Sequence, residues 1–191
     1  MAQPRNIAVL LAGGVGSRVG LDIPKQLIKI AGKPIIEHTL GVLHAHEQVD
    51  EIVILMAPGH LDAVRAIVRD GGYDKVTAIL EGADTRSHTT MRALDHIAEK
   101  HGGGEGGEDP NVLLHDAVRP LLDPRIVSDC FAALATATPD GNRRRSNSII
   151  CLRSGMMNEL QRRLDDQDPD TWFAWETAKL DVDLPEEENK E

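Results

Sequence analysis

Aromatic residues are scarce: two Trp, one Tyr and two Phe in 191 residues. The core must therefore be aliphatic, and a base-stacking surface for single-stranded nucleic acid is not expected. Positive charge is also in deficit. The 21 Lys and Arg against 31 Asp and Glu leave a net charge of −10, which repels phosphate backbones overall. Neither feature excludes a local basic pocket for a small phosphorylated molecule. There are only two cysteines, Cys130 and Cys151, with no CxxC or metal-ligand spacing. That pattern fits inert buried thiols in a reduced, cytoplasmic setting. No apolar run reaches membrane length, and IAVLLAGG near the start is too short for a signal peptide. With 41% hydrophobic and 27% charged residues, the composition suits a globular domain and excludes a collagen-like or wholly disordered chain.

What is present is alternation. Ile7–Leu11, Glu51–Met56, Val76–Leu80 and Val112–Leu114 read as short buried strands. Between them, Ile36, Leu40 and Leu43 form one helical stripe, and Leu61, Val64, Ile67 and Val68 a second. Met91, Leu94, Ile97 and Ala98 form a third, and 126–137 reads as a fourth helix. Strand–helix alternation implies right-handed crossovers and a mainly parallel sheet covered on both faces. The expectation is a three-layer α/β, Rossmann-like domain. In such sheets ligands bind beyond the carboxyl ends of the strands, so the loops after Leu11, Leu80 and Leu114 are the ones to read. HGGGEGGED (101–109) follows a helix and reads as a linker. Beyond about 138 the aliphatic alternation weakens, giving a core over 1–138 and a divergent arm and acidic tail over 139–191.

The loop after the first strand, Leu11-Ala-Gly-Gly-Val-Gly-Ser-Arg-Val-Gly20, lets backbone N–H groups converge on an anion without Cβ interference. It is not a dinucleotide fingerprint, because Val19 stands where a glycine is required. Nor is it a Walker loop, because no Gly-Lys-Ser/Thr closes it. Arg18 lies within it, and Pro24-Lys25-Gln26 follows. Two permanent cations beside a glycine nest make a site for a triphosphate or its transition state.

With these residues in place, LAGGVGSRVGLDIPKQLIKIAGKPIIEHTL resembles the opening of the polyol-phosphate cytidylyltransferases, the family acting on 2-C-methyl-D-erythritol 4-phosphate or ribitol 5-phosphate. The resemblance runs over about 6–137, and Leu-Ala-Gly-Gly with Gly-Ser-Arg leans towards the ribitol branch. It implies a nucleotidyltransferase fold and transfer of CMP from CTP to a phosphorylated polyol, with pyrophosphate released. It also implies a homodimer. By the match, Ala12, Gly13, Gly14, Gly16 and Ser17 line the nucleotide, while Arg18 and Lys25 stabilise the attacked α-phosphate.

Two more segments match. Glu81-Gly-Ala-Asp-Thr-Arg-Ser-His-Thr-Thr90 is similar to the family's cytosine and ribose cradle. There Gly82, Ala83 and Asp84 would read the base through backbone groups. Arg86 would brace the loop and Thr89 would take the place of a serine; Thr85 or Ser87 would cap the following helix. His115-Asp-Ala-Val-Arg-Pro120 is close to the family's His-Asp-Ala-Ala-Arg-Pro, making Asp116 the candidate Mg²⁺ ligand. Arg119 would bind phosphate or hold Asp116, and His115 would support it. Past the core, Ser148 would stand for a substrate-binding threonine, and Arg162 or Arg163 for the arm's phosphate-binding arginine. Gln167–Phe173 weakly echoes another family segment, and Lys179–Glu187 compresses the region that brings a late Asp and Lys. No Ser/His/Asp or Cys/His set is present, and none is needed, since a phosphate monoester is already largely ionised at neutral pH. Two alternatives stay open: a CTP-binding pseudoenzyme or regulatory subunit, and a nucleotidyltransferase using another NTP and sugar phosphate.

Overall fold

The computed structural model describes residues 4–14, 23–101, 110–135, 145–146 and 149–153, all within one compact unit, Met1–Met157. Strand β1 (Asn6–Ala12) is an unbroken aliphatic run whose residues from Ile7 onward are buried, as a strand covered on both faces requires. It pairs in parallel with β4 (Glu51–Met56) and β6 (Asn111–Asp116), and β4 pairs in parallel with β5 (Val76–Glu81). On the far side of β6, β8 (Ile149–Arg153) runs antiparallel and is followed by the short β7 (Arg145–Ser146). The order is β5-β4-β1-β6-β8-β7. The mainly parallel sheet is as expected, and it extends past residue 138 through this antiparallel pair.

Helices α1 (Ile35–Ala45), α2 (Leu61–Gly71), α3 (Arg86–His101) and α4 (Pro124–Ala135) connect the strands. Alternate residues of β1 serve opposite faces. Ala8, Leu10 and Ala12 pack in one cluster with Ile36, Leu40 and Leu43 of α1 and with Val127, Phe131 and Leu134 of α4. On the other face, buried Ile7, Val9 and Leu11 lie towards α3, which supplies Met91, Leu94 and Ile97. The result is three layers with an aliphatic interior. Cys130 is buried in that interior.

A small hairpin, β2 (Lys29–Ile30) with β3 (Lys33–Pro34), escaped the sequence reading because two-residue strands carry no periodicity. Its turn places Ala31 at φ 49° and Gly32 at φ 85°, the positive pair that two-residue hairpins favour. Just before it, Lys25–Leu27 forms a single 3₁₀ turn.

At the amino ends of the strands, Glu51 is buried in a cluster of donors. Lys100 Nζ and Thr77 Oγ1 donate to Oε2 at 2.7 and 3.1 Å, and Arg5 Nη1 donates to Oε1 at 2.9 Å. His101 Nε2 approaches at 3.3 Å without hydrogen-bond geometry. Burial pushes the carboxyl upward, but the Lys100 and Thr77 bonds and the charges of His101 and Lys100 outweigh it, leaving a pKa of about 2.

Among the described residues no helix is long and apolar enough to cross a membrane.

Candidate functional site

The parallel ladder runs one residue past each strand and so fixes where the loops begin. Ala57 N–H donates to Ala12 O at 3.1 Å, Gly82 N–H to Met56 O at 2.7 Å, and Ala117 N–H to Leu11 O at 3.0 Å. The loops after β1, β5 and β6 then converge on one cavity of about 250 Å³. Ala12, Gly13, Gly14, Lys25, Ala83, Asp84, Arg86, Thr89 and Asp116 all line it, together with Gln26 and Thr85.

Two loops meet there at glycine distance. A Cβ on Gly82 would sit 2.9 Å from Gly13 Cα and 3.3 Å from Met56 O. A Cβ on Gly13 would come 3.2 Å from Thr89 Oγ1. Gly82 therefore needs glycine for close backbone approach rather than for an unusual φ, while a side chain at Gly13 would require Thr89 to give by a few tenths of an ångström. Thr89, only 3% exposed, holds the second loop in place. Its Oγ1 accepts Ala83 N–H at 2.9 Å and has Thr85 O (2.9 Å) and Ala83 O (3.2 Å) as acceptors. Of the two candidate caps of α3, Thr85 serves: its Oγ1 accepts His88 N–H at 3.1 Å.

This geometry narrows how the loop can read a base. Gly82 N–H is committed to Met56 O and Ala83 N–H to Thr89, while Gly82 O accepts from Arg92 Nη1 at 3.0 Å. What the segment still offers to the cavity are a lone pair on the Ala83 carbonyl, the exposed Asp84 carboxylate, and the N–H groups of Asp84 and Thr85, which have no partner among the described residues. The edge carries acceptors and donors side by side.

Asp116, last residue of β6, has a side chain 25% exposed and lies between two arginines. Arg86 Nε and Nη2 both reach Oδ1 at 3.3 Å, and Arg119 Nε reaches Oδ2 at 3.3 Å. Arg86 thus ties the β5 loop to the β6 loop rather than bracing its own. Of the two roles foreseen for Arg119, the structure has it holding Asp116. His115 supports the turn indirectly, with Nε2 3.3 Å from Arg119 O, and Thr39 Oγ1 donates to Ala117 O at 3.2 Å. Lys25 has no ion-pair partner among the described residues. Arg18, Gly16, Ser17 and Ser148 lie outside the described residues, as do Arg162, Arg163, Gln167–Phe173 and Lys179–Glu187. No histidine lines the cavity.

The family model for 2-C-methyl-D-erythritol 4-phosphate cytidylyltransferase matches residues 6–141, which take in all three loops. The chain belongs to that family. Among similar proteins, the bifunctional ribulose 5-phosphate reductase/CDP-ribitol pyrophosphorylase of Haemophilus influenzae is 40% identical over 134 residues, 70% of this chain and 27% of that protein. The 2-C-methyl-D-erythritol 4-phosphate cytidylyltransferase of Thermobifida fusca is 39% identical over 132 residues, 69% of this chain and 51% of its own length. The ribitol-5-phosphate cytidylyltransferase of Lacticaseibacillus paracasei is 34% identical over 122 residues, 64% of this chain and 50% of its own. The chain therefore spans about half or less of these three relatives. The family fold recurs in the crystal structure of a 4-diphosphocytidyl-2C-methyl-D-erythritol synthase, with TM-score 0.62 at 22% identity over 84% of this chain and 80% of that one. Rv0371c of Mycobacterium tuberculosis has TM-score 0.64 at 19% identity, over 91% and 83% respectively.

Two residues that work at this site were not assigned a role from sequence. Arg92 clamps the β5 loop from outside through Glu81 O and Gly82 O; nothing in its helical spacing marks it. Gln26 was visible only as part of Pro-Lys-Gln.

Proposed function

We propose that this chain transfers a cytidylyl group from CTP to a polyol phosphate, releasing pyrophosphate. The observation that carries the reading is the convergence of three family-matched loops on one cavity, with Lys25 at its wall. The acceptor's phosphate oxygen attacks the α-phosphorus in line, the α–β bridging bond breaks, and pyrophosphate leaves with the bond pair. No general base is required, because the attacking monoester is already an anion. The protein's task is to position two anions and neutralise the charge that grows between them. In this reading Lys25 does that at the α-phosphate together with Arg18.

The donor set suits Mg²⁺ held by Asp116. The ion takes one or two carboxylates and completes its shell with phosphate oxygens and water, and a lone, partly exposed carboxylate at the cavity wall fits that habit. The Arg contacts at 3.3 Å are long, and Oδ2, which takes only the one from Arg119, keeps a further lone pair while Oδ1 takes two from Arg86. A bound Mg²⁺ supplies charge neutralisation across the triphosphate. Arg86 and Arg119 orient the carboxylate for it.

The Ala83 carbonyl and Asp84 carboxylate at the β5 edge support cytosine, whose exocyclic amine donates where uracil presents a carbonyl. A homodimer in the cytoplasm stays part of the reading on family resemblance alone. The test is a pyrophosphate-release screen of four NTPs against ribitol 5-phosphate, 2-C-methyl-D-erythritol 4-phosphate and sugar phosphates. CTP with one of the two polyol phosphates should give the signal. Release with another NTP, or CTP binding without release, would replace the reading with one of its alternatives.

A further inference from the structure

Gln26 is 1% exposed, yet lines the cavity beside Lys25. Its Nε2 donates to Ala12 O and, at 3.1 Å, to Gly14 O, with Met56 Sδ at 3.8 Å. The amide orientation is dictated by chemistry, since turning Oε1 towards two carbonyl oxygens would set acceptor against acceptor. In the orientation that satisfies them, Oε1 is buried with no partner. An open buried acceptor is a cost that an apolar side chain would escape. The residue is therefore there for its two N–H donors.

Those donors grip alternate peptides of the glycine loop. Peptides are planar, and every one described is trans, so each N–H points opposite to its carbonyl. Holding Ala12 O towards Gln26 turns Gly13 N–H to the other side of the same plane, where it has no partner among the described residues. Ala57 N–H already holds Ala12 O from β4, so Gln26 adds a second donor there and supplies the donor that Gly14 O receives. A glycine has almost no intrinsic preference against a peptide flip, so that donor chooses the Gly14 orientation. We infer that Gln26 is a positioning residue: it continues the hold that β4 exerts on Ala12 O out to Gly14 O, so that the N–H side of the loop faces the nucleotide phosphates, and ties that cradle to the turn carrying Lys25. The inference rests on the nucleotide reading above and adds to it a residue that touches neither substrate.

The test compares Gln26→Met, which fills the space without donors, with Gln26→Glu, whose carboxylate only accepts when ionised. CTP affinity is measured by calorimetry at pH 8 and pH 6, each variant against the wild-type chain at the same pH, with thermal melting as a check on folding. Both variants should bind CTP more weakly at pH 8, by about tenfold or more, as displaced donors do. Only Gln26→Glu should recover at pH 6, because a carboxyl buried against two carbonyl oxygens protonates early and then donates one bond. A folded variant within twofold of wild type at pH 8 overturns the inference. Equal losses at both pH values in both variants do the same, marking a packing role. Should Gln26→Glu not fold, Gln26→Met alone decides through its pH 8 affinity. A wild-type chain that fails to bind CTP sinks the nucleotide reading itself, and this inference with it.

Discussion

Replacing Thr89 by Val keeps the β-branched shape and removes a single hydroxyl that serves three backbone atoms. The loss can be estimated bond by bond. Ala83 N–H loses its acceptor at 2.9 Å, and a half-buried unpaired donor costs about 1–3 kcal/mol. Thr85 O still accepts Thr89 N–H at 3.0 Å, so removing the hydroxyl bond there costs less, about 0.5–1 kcal/mol. The terms sum to about 1.5–4 kcal/mol, and because Ala83 is only half-buried the lower part of that range applies, about 2 kcal/mol, concentrated on the segment from Gly82 to Arg86. In a domain of this size that lowers the melting temperature by about 4–8 °C. Part of the same energy is lost from nucleotide binding, because the loop no longer arrives preformed. A share of 1–2 kcal/mol weakens CTP about 5- to 30-fold. Thr89→Ser restores the hydroxyl and should return affinity to within a few-fold of wild type. Calorimetric titration of CTP into the three proteins, with melts alongside, provides the measurement. If Thr89→Val binds CTP as tightly as wild type, the β5 loop does not need this hydroxyl and the reasoning fails.

Lys25→Ala should lower turnover by about 10²–10³-fold, the usual cost of one preorganised donor at developing charge, and wild-type turnover in that variant would remove Lys25 from the chemistry. For Glu51 the folded pKa of about 2 lies below the ordinary 4.5, so its contribution to stability is complete above about pH 4.5 and is lost as pH falls towards 2. The shift is worth about 2–3 kcal/mol once the partly exposed Lys100 and Arg5 are discounted for screening. Glu51→Gln should therefore destabilise clearly at pH 7 and little near pH 2, with equal destabilisation at both contradicting the cluster's role.

The four parallel strands and the four helices were legible because each obeys one period. Ile52–Met56 is a continuous apolar run, and Ile36, Leu40 and Leu43 recur at helical spacing and are all fully buried. The positions of the loops were legible too, since sequence order alone puts the ends of β1, β5 and β6 on one side of a parallel sheet. Partnerships across the cavity were not. Arg86 and Asp116 are thirty residues apart, and only the register of β1 with β6 and the packing of α3 decide that they meet. The same holds for Gln26, whose surroundings come from β1 and β4. Thr89 shows a subtler limit. A hydroxyl at that place was readable, but not that its hydrogen bonds would be used up inside the loop.

The hydrogen-bond accounting also orders the cavity from one side to the other. Next to β1 stand the Gly13 N–H, with no partner among the described residues, and the Lys25 ammonium, with the Asp116 carboxylate beside them on β6. Next to β5 the N–H groups of Gly82 and Ala83 are already consumed, leaving the Ala83 carbonyl and the Asp84 carboxylate as acceptors beside the Asp84 and Thr85 N–H groups. A ligand that satisfies both ends must carry acceptors and negative charge at one end and a hydrogen-bond donor at the other. Cytidine triphosphate has that polarity, with phosphate oxygens at one pole and an exocyclic amine at the other. Uridine triphosphate matches the phosphate side but would set its O4 against the Ala83 carbonyl or the Asp84 carboxylate, and each such mismatch leaves polar groups unpaired. Under the proposed function, a preference for cytosine rests on those two acceptors, and Asp84→Asn, which adds a donor there, should narrow the difference between CTP and UTP binding measured by calorimetry.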